Sequence, residues 1–140
     1  MQLDDTFEFP VRFTQAQVEA FAEVSGDHNP LHLDAEYAAQ TQFKRPIVHG
    51  MLAASLFSRL IGMEFPGPGT VYLSQELHFR RPMYVETDYL IKLKVLEVNP
   101  ERHSVRLETL LVDAQRGKPH LTGEALVMNR DQVGVMADSQ

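Results

Sequence analysis

Arg45 to Gly62 read RPIVHGMLAASLFSRLIG, and the fold turns on this stretch. From Met51 onward, small and apolar residues occupy nearly every side of the helix that this pattern predicts, until Arg59 interrupts them. A helix that is apolar all round has no face to give to water and must be central and enclosed. The nearly uncharged run from Pro46 to Ser58 is too short to cross a bilayer, which takes about 20 apolar residues. The rest of the chain therefore has to cover this helix.

Downstream, the turn-forming PGPG at Pro66–Gly69 is followed by period-2 patterns that predict four strands. Leu73, Leu77 and Phe79 mark the first. Tyr89, Ile91, Leu93 and Val95 mark the second, Val105, Leu107, Thr109 and Leu111 the third, and Leu121, Ala125 and Val127 the fourth. Turn signals at Asn99–Arg102 and Gln115–Pro119 make the last three an antiparallel meander. Upstream, Phe7, Phe9, Val11 and Phe13 alternate as another strand, in which Pro10 signals an edge or a bend. Thr14 and Gln17 then form a capping-box pattern, with Phe13 and Val18 placed as a hydrophobic staple. A helix through Val18, Phe21, Ala22 and either Val24 or Ser25 should end at Gly26 in a left-handed conformation, and Asp34 can cap a short helix over Ala35–Gln40. A curved antiparallel sheet around one helix satisfies this order, although periodicity alone does not choose it over other α+β arrangements.

The 140 residues suit one domain with one core, expected over 1–129, with 130–140 as a loosely held terminus. Without cysteine there is no disulfide, zinc–thiolate site or catalytic thiol, and a cytoplasmic setting is expected. The acidic start MQLDDTFEFP lacks the basic flank and apolar run of a signal peptide. A net charge of -6 argues against nucleic acid, whose binding rests on Lys and Arg neutralising phosphates. No membrane partner is expected.

Two segments carry chemistry: SGDHNPLHLD (Ser25–Asp34) and RPIVHGMLAASLFS (Arg45–Ser58). Taken alone, Asp27 reads as a turn residue and His32 as an ordinary loop histidine. Together, in this order, and with YLSQELHFRRPMY and TGEALV further on, they resemble the MaoC-like, or type 2, enoyl-CoA hydratases from about Phe13 to Val127. The resemblance implies a single α+β hot-dog fold, a curved antiparallel sheet wrapped around the central apolar helix. It implies (R)-specific hydration of a trans-2-enoyl-CoA thioester, with catalytic residues at Asp27, Asn29, His32 and Gly50.

That chemistry suits these residue types. Hydration needs a base for water, a proton donor for the α carbon and donors for the enolate-like thioester oxygen. Asp27 is the expected base and shuttle, His32 orients the water, Asn29 fixes the arrangement, and Gly50 brings a helix N-terminal N–H to the thioester. The resemblance also places Ser58 near the site and Ile61 and Leu126 beside the acyl pocket. His49 is expected to shape the helix entrance, and Lys44, Arg45, Arg80 or Arg81 to hold the CoA phosphates. No cofactor is expected. The histidines and aspartates lack a helical His-x3-His face or a Cys pair, so no metal is expected either. Rival readings are a hot-dog thioesterase, a dehydratase acting on a carrier-protein thioester, and a non-catalytic acyl-CoA binding module. The resemblance further implies a homodimer or an assembly of dimers.

Overall fold

A computed structural model describes residues 1–134. Strand β1 (Thr6–Arg12) leads into helix α1 (Gln15–Ser25) and the short helices α2 (Pro30–Leu33) and α3 (Ala35–Ala39). The apolar helix α4 (Gly50–Met63) follows, and then strands β2 (Val71–Gln75), β3 (His78–Phe79), β4 (Asp88–Asn99), β5 (Ser104–Asp113) and β6 (Pro119–Met128). The strands form one antiparallel sheet in the order β1-β4-β5-β6-β2, with β3 paired to β6.

Local signals set the first third of the chain. Thr14 Oγ1 accepts from the Gln17 N–H at 3.1 Å while Gln17 Oε1 accepts from the Thr14 N–H at 3.0 Å, the reciprocal pair that opens α1. Gly26 closes the helix at φ 79, its N–H donating to Ala22 O at 2.9 Å. Val18 and Ala22 are buried, whereas Val24, expected on the same face, points to solvent. Pro10 lies on the outermost strand, where its missing N–H breaks no ladder on the solvent side.

The core forms where the alternating strands meet α4. Ala53, Phe57, Leu60 and Ile61 pack in one cluster with Tyr89, Ile91, Leu93 and Val95 of β4, and with the inward residues of β5 and β6. This is the hot-dog arrangement, a sheet wrapped around the helix, although the helix is not enclosed all round as expected: Met51, Ser55, Ser58, Arg59 and Met63 lie exposed along its outer face. Burying side chains the size of Phe57, Leu60 and Ile61 stabilises the fold by about 1.5–3 kcal/mol each.

Two expectations need correction. The strand read through Leu73, Leu77 and Phe79 is two strands, because at the break the chain crosses Gly123 of β6 so closely that a Cβ there would lie 1.8 Å from Glu76 O. Gln75 bridges the break, its Nε2 donating to Glu76 O at 2.8 Å and to the buried Thr109 Oγ1 at 3.0 Å. Leu73 and Phe79 are consequently half exposed rather than core. The loosely held terminus expected from 130 is packed at its start. Asn129 is buried, donating to Pro68 O at 3.0 Å and accepting from the Asp131 and Gln132 N–H groups, and Val133 belongs to the core. The remainder of that expectation, 135–140, lies outside the described residues.

Candidate active site

Asp27 follows the left-handed Gly26, so the end of α1 aims the chain away from the helix and starts a chain of short-range turns. Asp27 Oδ1 accepts from the Asn29 N–H at 3.2 Å, and Asn29 Oδ1 accepts from the Leu31 N–H at 3.0 Å. Asn29 is thus the N-cap of α2, with Pro30 preset in the first helical position. That one turn of helix carries His32.

The second segment is hydrogen-bonded to the first. The Ile47 N–H donates to Leu31 O at 3.2 Å, and His32 Nδ1 lies 2.8 Å from Ile47 O. A carbonyl can only accept, so the His32 hydrogen sits on Nδ1 and Nε2 keeps its lone pair. His49 Nε2 lies 3.0 Å from Asp27 O and by the same argument carries a hydrogen. The rings of His32 and His49 stack at 3.9 Å, and Phe21 covers His49 at 4.9 Å. Burial is the main cause that holds the His32 pKa below its ordinary value, with charge on His49 adding in the same direction, against the Ile47 hydrogen bond and Asp27.

Gly50 is the first residue of α4, so its N–H has no partner inside the helix. It faces a cleft of about 510 Å³ whose wall includes Asp27, His32, His49, Arg80 and Arg81. Phe43, Ile47, Met51, Phe79 and Met83 give the cleft its apolar lining. Phe79 lies so close that a Cβ on Gly50 would stand 2.5 Å from Phe79 Cε1, so any larger residue there would have to push that exposed ring aside.

Asp27, His32 and His49 offer donor atoms within 4.8 Å of one another. The donor types would suit zinc, but the geometry does not. With centroids 3.9 Å apart and planes inclined by just 28°, the two rings' planes meet well beyond a Zn–N bond of about 2.0–2.1 Å, so the imidazoles as stacked do not converge on one ion.

Residues 2–115 match the family model described as MaoC like domain. The chain belongs to that family. A relative from Aeromonas caviae named (R)-specific enoyl-CoA hydratase is 47% identical over 116 residues, 83% of this chain and 86% of the relative. A 3-hydroxybutyryl-CoA dehydratase from Methylorubrum extorquens is 41% identical over 114 residues, covering 81% and 71%. Among solved structures, the (R)-hydratase from A. caviae involved in PHA biosynthesis superposes with a TM-score of 0.88 at 42% identity, over 92% of this chain and 97% of that one.

Within this MaoC-like chain the residues expected at the site separate into two groups. Asp27, His32, His49, Gly50, Arg80 and Arg81 share one cleft, and Asn29 supports it from behind through the α2 cap. The others do not join them. Ser58 is exposed on α4, more than two turns and about 12 Å beyond Gly50. Ile61 is fully enclosed in the core, and Leu126 faces a different cleft beside Leu73 and Arg102. Arg45 stacks over the Tyr84 ring at 4.0 Å, and neither it nor Lys44 lines the cleft. Sequence reading missed Phe79 and Met83 as cleft walls. Alternation puts Phe79 on the buried face of a strand that the break at Gly123 interrupts, and only its neighbours Arg80 and Arg81 hint at a surface.

Neutral His32 has a measurable consequence. An unfolded imidazole titrates near about pH 6.5, and the folded one holds its proton less well. The stability due to this difference is complete above about pH 6.5 and is lost as pH falls through the folded pKa. NMR titration should therefore place the His32 midpoint below that of an unfolded histidine, and His32→Gln should flatten the fall of stability on acidification. A midpoint at or above about 6.5 would contradict the buried setting.

Proposed function

We propose that this chain hydrates trans-2-enoyl-CoA to (R)-3-hydroxyacyl-CoA, reversibly. One observation supports the reading above all: a carboxylate, an imidazole with a free Nε2 and a helix N-terminal glycine amide face the same apolar cleft. The names of the A. caviae and M. extorquens relatives describe the two directions of such a reaction.

The steps balance on these groups. His32 Nε2 accepts a hydrogen bond from a water whose proton Asp27 takes as the water oxygen bonds to C3. The C2–C3 π electrons move toward C1, and charge gathers on the thioester oxygen beside the Gly50 N–H. Asp27 then gives a proton to C2 and returns to carboxylate, so water has been added and no thiol released. An amide donor of this type is worth about 2.7–4 kcal/mol in a transition state, more than it gives a ground-state carbonyl. The helix N-terminus supports the same charge.

A cleft that combines two arginines with an apolar lining suits a CoA thioester, for which we favour short to medium acyl groups. Arg80 and Arg81 are the favoured phosphate contacts, since both line the cleft, each anchored by one hydrogen bond: Arg80 Nε to Thr122 Oγ1, and Arg81 to Pro119 O. The cysteine-free composition is compatible with a cytoplasmic setting. A homodimer is favoured by β2, which ends the sheet and presents Val71 and Leu73 half exposed beside an unpaired strand edge.

With crotonyl-CoA, the enoyl absorbance should disappear without free thiol and yield the (R)-3-hydroxy product. Thiol release would instead support the thioesterase reading, and binding without either reaction a binding module. Asp27→Asn should stay folded, bind substrate and lose about 10²–10⁴ in kcat, and adding His32→Ala should cost less than the product of the separate losses. Near-wild-type turnover by folded Asp27→Asn would overturn the mechanism. Arg80→Gln and Arg81→Gln should weaken crotonyl-CoA binding more at low salt than at high salt, and unchanged salt dependence in both would remove them as phosphate contacts. Sedimentation at micromolar concentration should show a dimer, and an active species found only as monomer would refute it.

A further inference from the structure

His49 stands apart from the other cleft residues. It is 1% exposed, and its Nδ1 is buried with no hydrogen-bond partner among the described residues. A phenylalanine or methionine would fill such a space without leaving a bare polar atom, so packing alone does not explain a histidine there. Its contacts do distinguish it. Nε2 donates to the backbone carbonyl of Asp27 at 3.0 Å, and one ring face lies on His32 at 3.9 Å. Phe21 covers it at 4.9 Å, and its own main chain is the residue that caps α4 before Gly50. One side chain therefore touches the peptide that carries the carboxylate, the ring that carries the free Nε2, and the start of the helix that supplies the amide.

We propose that His49 is a positioning residue for hydration: its Nε2–H and its ring face hold Asp27 and His32 on one water beside the Gly50 N–H. The role rests on the hydration reading above. Asp27 needs such a hold because its side chain is exposed and, among the described residues, bonds just to the Asn29 N–H two residues away in the same loop. His32 is fixed in plane by Ile47 O but not against tilting, and a ring stacked on its face blocks that tilt. The Asp27 carboxylate and His32 Nε2 then keep a common focus when substrate enters.

Two variants separate this role from packing. His49→Phe keeps an aromatic ring and the stack but removes the donor. His49→Gln removes the ring but places an amide N–H at the same number of bonds from the backbone as Nε2. With crotonyl-CoA as substrate, and with wild type and Asp27→Asn measured in parallel, folded His49→Phe should lose about 10²-fold in kcat with KM little changed, the cost of a misplaced reacting group. His49→Gln should recover part of that loss. A folded His49→Phe with wild-type kcat would overturn the proposal, as would a folded His49→Gln no better than His49→Phe. If His49→Phe fails to fold, His49→Gln alone decides: kcat above that of Asp27→Asn but below wild type supports the role, and wild-type kcat without the stack, or kcat as low as Asp27→Asn, removes it. Failure of wild type itself to hydrate would strike the reaction, whereas active wild type with equally active His49→Phe strikes only His49.

Discussion

A helix carrying Ala53, Ala54, Phe57, Leu60 and Ile61 on one side cannot leave that side in water, and the sheet that covers it fixes everything else. The helix is 14 residues long, so enclosing its body still leaves its first turn at the margin of the core. There the unpaired N–H groups of a helix N-terminus meet an open cleft. The same burial that stabilises the fold thus aims partial positive charge, through Gly50, at whatever occupies that cleft.

The cleft's other half comes from a loop with little packing of its own. Ser25 to Asn29 are exposed, and the segment is held by a ladder of side-chain caps and by the hydrogen bonds that tie Leu31 and His32 to Ile47. Those ties place an exposed carboxylate beside a half-buried imidazole. The two environments differ, since the Asp27 side chain is exposed while burial keeps His32 neutral at its working nitrogen. Phe79, pressed over Gly50, adds an apolar wall at the point where charge would develop, and low polarity there strengthens the amide's effect.

Much of this was legible from residues that act locally. The capping box at Thr14 and Gln17, the left-handed Gly26 and the inward alternation of Tyr89 to Val95 depend on near neighbours, so sequence spacing revealed them. The break between β2 and β3 depends on Gly123, far along the chain on another strand, and no local pattern announces it. Val133 reads as tail because its partners in the core are likewise remote, as are Pro68 and Thr70 from Asn129 just before it. At the site, Asp27, His32 and Gly50 were legible as a set only through their family resemblance. The stack of His32 on His49 was not legible, since it arises from two segments crossing in space. Ser58, Ile61 and Leu126 came from the resemblance as well, and this chain's geometry puts them apart from the cleft.

The account's central claim is that one water and one thioester oxygen are held between Asp27, His32 and Gly50. A crystal structure of the Asp27→Asn protein with crotonyl-CoA tests it most directly, because the slowed variant keeps the enoyl thioester intact. The thioester oxygen should lie about 2.7–3.1 Å from the Gly50 nitrogen, with a water between residue 27 and His32 Nε2 facing C3. A thioester bound in this cleft with its oxygen turned away from Gly50, or with C3 beyond reach of any water on His32, would contradict it.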